Sequence, residues 1–160
     1  MIAIRKILVP TDFSDCSADA ERYGRGLAEA FGASLHLLHV VQDPYTQPWA
    51  AEAFPAPLGD LLAQWEEQAR RRILEGLPEA ARANATVVTQ IGSPFLEIVR
   101  YAQEQQIDLI VIGTHGRGPI GHMLLGSVAE KVVRKAPCPV LTVRHAQREG
   151  SDLTGSRAGQ

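Results

Sequence analysis

At 160 residues the chain fits a single domain, large enough to bury about two thirds of its unfolded surface without a disulfide or metal staple. A formal net charge of −2 and a charged fraction of 21% leave no broad basic surface, so DNA and anionic lipid are not expected partners. No apolar run reaches the roughly 20 residues that span a bilayer, and Met1-Ile-Ala-Ile-Arg-Lys-Ile7 leads into a strand, not a cleavable apolar segment; a cytoplasmic location is expected.

The first strand is Lys6-Ile-Leu-Val-Pro10, apolar and ended by proline. Ser14 then caps a helix whose apolar positions Ala20, Leu27, Ala28 and Phe31 are expected to face inward, with Gly32 placed to stop it. Ser34-Leu-His-Leu-Leu-His-Val-Val41 reads as a second buried strand. From Gln42 to Pro57 the pattern breaks, with four prolines among Tyr45, Trp49 and Phe54. That stretch is a loop folded onto its own helix, a lid, or half of a partner surface.

Leu58, Leu61, Leu62, Trp65, Ala69 and Ile73 repeat at three- and four-residue spacing, the pattern of an amphipathic helix packed on a core. Glu66, Glu67, Arg70 and Arg71 take its wet side, and the helix ends near Leu77 or restarts behind Pro78. Ala85 to Ile91 alternates and is β-branched, as an edge strand would be. Ser93-Pro94 opens a helix running to about Gln105. Asp108-Leu-Ile-Val-Ile-Gly113 is uninterruptedly apolar, as a central parallel strand must be. A last strand, Pro139 to Val143, follows a helix from Val128 to about Ala136.

Strands alternating with helices, without a hairpin signal, give an α/β fold: a doubly wound parallel sheet with helices on both faces. Residues 1–145 are expected to form the domain and 146–160 a disordered tail of Gly, Ser and charge. Cys16 and Cys138 read as two buried thiols in a reducing compartment and not as a redox pair.

Between the fourth strand and its helix lie five glycines, Gly113, Gly116, Gly118, Gly121 and Gly126. Glycines that admit close backbone approach, followed by a helix N-terminus with free N–H groups, make a phosphate cradle. Ser127 and Glu130 have capping-box spacing, which places the first helical residue at Val128. Gly116-x-Gly118-x-x-Gly121 matches a dinucleotide fingerprint, but that motif belongs in the first strand-to-helix turn, here Pro10-Thr-Asp-Phe-Ser14 without glycine. Gly121-x4-Gly126-Ser127 has P-loop spacing without the lysine that supports phosphoryl transfer.

What fits without remainder is Gly113-x2-Gly116-x9-Gly126-Ser127. With Ile7-Leu-Val-Pro-Thr-Asp12, Leu38-His-Val40, Gly126-Ser-Val-Ala-Glu-Lys-Val-Val133 and Pro137-Cys-Pro-Val-Leu141, it makes the chain resemble the universal stress proteins from Arg5 to Arg144, and among them the ATP-binding branch. The resemblance implies five strands in the order 3-2-1-4-5, and a crevice where the connections of the first and fourth strands diverge. It implies that the Val40 backbone meets the adenine edge, with Pro10 and Ile112 near the base, Asp12 on the nucleoside and Thr11 beside it. Gly113 would line the crevice, and Gly116, Gly126, Ser127 and Val128 would hold the phosphates; Arg117 is either a phosphate contact or a solvated loop arginine. Mg²⁺ would arrive with the phosphates. A homodimer through strand 139–143 is implied as well, since that strand lies at a sheet edge.

A protein-built metal site is not expected: His36 and His39 point to opposite faces of a strand, and His115 and His122 lack a His-x3-His arrangement. The expected function is a dimeric, nucleotide-dependent regulatory switch with an unknown protein partner. A slow ATPase or nucleotidyl-transfer enzyme in the same crevice, and an interaction dimer without nucleotide, are the alternatives.

Overall fold

The computed structural model describes residues 3–42, 59–114 and 125–145. In chain order they form β1 (Lys6–Pro10), α1 (Asp15–Phe31), β2 (Ser34–Val41), α2 (Gly59–Gly76), α3 (Glu79–Arg82), β3 (Ala85–Ile91), α4 (Pro94–Glu104), β4 (Leu109–Gly113), α5 (Ser127–Lys135) and β5 (Val140–Val143). All five strands pair in parallel, in the order β3-β2-β1-β4-β5. The proline- and aromatic-rich stretch after Gln42, the glycine loop carrying Gly116 and Arg117, and the tail 146–160 lie outside the described residues.

Alternation along the strands divides the interior into two cores. Ile7 and Val9 of β1, Leu35 and Leu37 of β2, and Leu109 and Val111 of β4 pack with Ala20 and Ala28 of α1 and Ile73 of α2. Leu8, Leu38, Ile110 and Ile112 point the other way, against Ile98 and Tyr101 of α4 and Val132 of α5. A strand covered on both faces must be apolar, which is why β1 from Ile7 onward and β4 are.

α1 starts where expected. The Ser14 hydroxyl accepts from the Ser17 amide at 3.2 Å, and Gly32 closes the helix at φ 63°. Phe31 does not face the core; it is 53% exposed. α2 also differs from its expected stripe: Ala69 and Ile73 are buried, whereas Trp65, Leu61 and Leu62 are only half-buried. The helix ends at Gly76 and the chain restarts behind Pro78 as the single turn α3.

His36 and His39 do lie on opposite faces. His36 sits in the second core, its Nδ1 2.8 Å from the Tyr101 hydroxyl, while the His39 ring lies 4.6 Å from that of Phe13. Burial, with a smaller contribution from Lys6, lowers the His36 pKa below 6.5. The unfolded chain therefore takes up this proton more readily than the native one, so stability is complete above about pH 6.5 and falls as the pH drops through the native value. Thermal unfolding followed between pH 7 and pH 5 is expected to show that decline, and His36→Gln is expected to flatten it.

Candidate functional site

β1 ends early, and that opens a crevice. Its pairing with β2 stops at Pro10 opposite Leu38, with one last bond from the Thr11 amide to the Leu38 carbonyl at 2.9 Å. Backbone groups of a parallel strand alternate between its two neighbours. Leu38 and Val40 thus direct their N–H and C=O towards β1, whereas Val41 serves β3, its carbonyl accepting from Gly92. Among the described residues nothing of β1 lies beyond Thr11 for Val40 to pair with, so its donor and acceptor are placed at the open strand ends.

The turn out of β1 is tied by its own side chains. Thr11 Oγ1 accepts from the Phe13 amide at 3.1 Å, and Asp12 Oδ1 accepts from the Ser14 amide at 3.0 Å and from the Ser14 hydroxyl. Asp12 Oδ2 takes no hydrogen bond from the described residues and remains available. Phe13 is held at φ 63°, in the left-handed region.

On the other side of β1, β4 delivers Ile112, Gly113 and Thr114. A Cβ on Gly113 would come within 2.9 Å of the Cys16 backbone, so this glycine is required by the close packing of α1 whatever it does for a ligand. The Thr114 amide donates to the Val143 carbonyl at 2.9 Å, and the Thr114 carbonyl accepts from Gly126 at 2.5 Å. Those bonds fix both ends of the glycine loop at the head of α5.

That helix begins one residue earlier than its capping-box spacing implies. Gly126 is the N-cap, at φ −68° and ψ 156°, and its carbonyl accepts the first helical bond, from Glu130 at 2.8 Å. Ser127 is the first helical residue, exposed, and no side chain caps the helix. A capping box fails here because Gly126, held through its amide by the Thr114 carbonyl, already sets the helix start. The first-turn amides and the Ser127 hydroxyl are left facing outward, at the positive end of the helix dipole.

The two halves enclose one crevice of about 830 Å³. Of the residues expected from sequence, Pro10, Thr11, Asp12, Val40, Ile112, Gly113, Gly126, Ser127 and Val128 all line it. Gly116 and Arg117 fall outside the described residues. Val128 can offer only its amide, since its side chain packs into the second core. The sequence reading missed Phe13, His39, Trp65, Gln68 and Arg72, which line the same space. Trp65 reads from sequence as part of the apolar stripe, and nothing local singles out Gln68 or Arg72, because only the placement of α2 beside the strand ends brings them to the crevice.

Among the described lining residues Asp12 is the one carboxylate and Arg72 the one arginine, and no lysine is present. No three His, Cys, Asp or Glu side chains of the described residues gather as a metal site. Among the same residues, no helix is long and apolar enough to cross a membrane.

The model of the universal stress protein family matches residues 3–144. The chain belongs to the universal stress protein family. It is 34% identical over 145 residues to universal stress protein MJ0531 of Methanocaldococcus jannaschii, covering 91% of this chain and 85% of that one. The solved structure of MJ0577 superposes with a TM-score of 0.76 at 28% identity, covering 91% of this chain and 99% of that chain; MJ0577 is likewise a universal stress protein of M. jannaschii. A universal stress protein crystallised in complex with cAMP matches at 28% identity and TM-score 0.56, covering 88% and 97%.

Proposed function

We propose that this universal stress protein is an adenine-nucleotide-binding regulator of the ATP-binding branch, working as a homodimer whose loops order around ATP and present a changed surface to a protein partner. One juxtaposition carries the reading: the open backbone pair of Val40 and the free oxygen of Asp12 share a crevice with the uncapped start of α5. The first two suit the edge of a base and a ribose hydroxyl, and the third suits an anion. The relative bound to cAMP supports an adenine nucleotide as the ligand class.

In this reading Pro10 and Ile112 pack near the base, and Thr11 holds the turn that aims Asp12. The amides of Ser127 and Val128 and the Ser127 hydroxyl take the phosphates beside Gly126, whose own amide is held by Thr114 and which leaves room for their approach, assisted from the glycine loop by Gly116 and Arg117. Mg²⁺ comes with the phosphates, coordinated chiefly by their oxygens and water. Several charge-assisted hydrogen bonds of about 1.5–3 kcal/mol each, set against an association cost of about 4–15 kcal/mol, give affinity on the order of micromolar. Turnover is expected to be slow, because Asp12 is the sole carboxylate among the described lining residues and one of its oxygens is held by Ser14.

The dimer would form through residues 139–143. β5 ends the sheet, and Leu141 on it is 39% exposed. Titration calorimetry with ATP, ADP, AMP and GTP, with sedimentation of the same samples, checks both parts. Saturable adenine-nucleotide binding by a dimer is the expected result; no binding up to millimolar ligand would overturn the proposal.

A further inference from the structure

Three consecutive arginines of α2 are used in three different ways. Arg70 Nη1 donates to the Val87 carbonyl on β3 at 2.9 Å, and Arg71 Nε pairs with Glu67 at 3.0 Å on the solvent side. Arg72 turns towards the crevice. Its guanidinium carbon lies 4.2 Å from the centroid of the Phe13 ring, and no carboxylate of the described residues pairs with it.

The support beneath it is layered. On its other side Phe13 meets the His39 ring at 4.6 Å, and His39 Nδ1 donates to the Thr11 carbonyl at 2.8 Å. Arg72 is thus braced by a stack anchored on the strand ends. One and two turns earlier on the same helix face, Gln68 and Trp65 line the crevice as well. An arginine that served only to cover Phe13 would not need to share its face with an amide and an indole opening onto the same space.

The crevice has two ends. α5 and its amides stand on the β4 side of β1; Val40, Phe13, His39 and α2 stand on the β2 side. A nucleotide with its phosphates on α5 carries its base towards α2. We infer that Arg72 contacts the nucleoside end of the bound nucleotide, stacking on the base or donating to its ring acceptors, with Gln68 and Trp65 completing that wall. The inference rests on the nucleotide reading above and adds a residue and a helix to it. A planar, weakly hydrated guanidinium suits this role, since it stacks on π faces while keeping its N–H groups free in the plane.

The test compares ATP, AMP and adenosine by calorimetry on the wild-type protein and on Arg72→Met, Arg72→Lys and Arg71→Met. Arg72→Met is expected to weaken all three ligands by a similar factor, about three- to twenty-fold. Arg72→Lys should recover only part of the loss, and Arg71→Met should bind as wild type. Unfolding of each ligand-free variant reports separately on the Phe13 packing; if Arg72→Met is unstable, Arg72→Lys carries the comparison. A loss confined to ATP and AMP would mark a phosphate contact and overturn the assignment to the nucleoside end. Unchanged affinity for all three would overturn the contact altogether while leaving the nucleotide reading intact. Absence of binding by the wild-type protein would remove both.

Discussion

Ser127→Pro is expected to cost at least about a hundredfold in ATP affinity while leaving the fold in place. Proline at the first helical position removes an N–H that the helix itself cannot use, and its fixed φ suits that turn. The residue before it must be extended, and Gly126 already is, at φ −68° and ψ 156°. The substitution therefore deletes one amide donor and one hydroxyl from the proposed phosphate site without breaking α5. Two hydrogen bonds to a charged ligand, at about 1.5–3 kcal/mol each, correspond to a loss of about a hundredfold or more. Ser127→Ala, which removes the hydroxyl alone, is expected to lose about tenfold. Calorimetry with circular dichroism on the same samples checks the pair. Wild-type affinity in a folded Ser127→Pro protein would mean that the phosphates do not sit at the head of this helix.

Gly24→Ala is expected to destabilise the protein, although alanine is the better helix former by about 1 kcal/mol. A Cβ at Gly24 would lie 2.4 Å from Val9 Cγ2, with Leu35 and Val111 side-chain atoms at 3.8 Å behind it. Val9 is fully buried in the central strand, so it cannot swing aside. Overpacking of this kind costs about 1–3 kcal/mol, which outweighs the propensity gain. The neighbouring Gly26 makes the control, because a Cβ there meets nothing within 4 Å. Gly26→Ala should stabilise by up to about 1 kcal/mol. Denaturant unfolding of both, together with Val9→Ala and the Val9→Ala/Gly24→Ala double variant, measures the clash directly: the double variant should lose less than the sum of the singles. Gly24→Ala equal to or above wild type in stability would show that α1 does not pack so closely on β1.

The same contrast marks how far the chain could be read without coordinates. The five strands, the α/β class and the helix stops at Gly32 and Pro78 were legible because they depend on local chemistry: apolar alternation, a left-handed glycine, a proline that cannot continue a helix. The glycine pattern Gly113-x2-Gly116-x9-Gly126-Ser127 was equally plain, and so was the family resemblance it carried. Gly24 and Gly26, by contrast, look alike in the sequence. Only the approach of Val9 to one of them gives them opposite expected effects.

Local patterns misled wherever a contact between distant residues decided the outcome. Ser127 and Glu130 have capping-box spacing, yet the pinning of Gly126 by Thr114 moved the helix start and left the serine outward. Gly113 reads as part of a phosphate cradle, yet it is also the surface on which Cys16 rests. Trp65 reads as a core position of an ordinary amphipathic helix, yet it lines the crevice together with Gln68 and Arg72, which the helical pattern does not single out.

By itself, then, the sequence determined the elements and the glycine pattern, since each follows from residues close in the chain, and the alternation of strands with helices implied the parallel sheet. Tertiary structure alone decided which backbone groups remain unpaired at the strand ends and which side chains surround them. That depends on β1 stopping two residues short of Val40, and a strand's length relative to its neighbour is set by register between segments far apart in sequence.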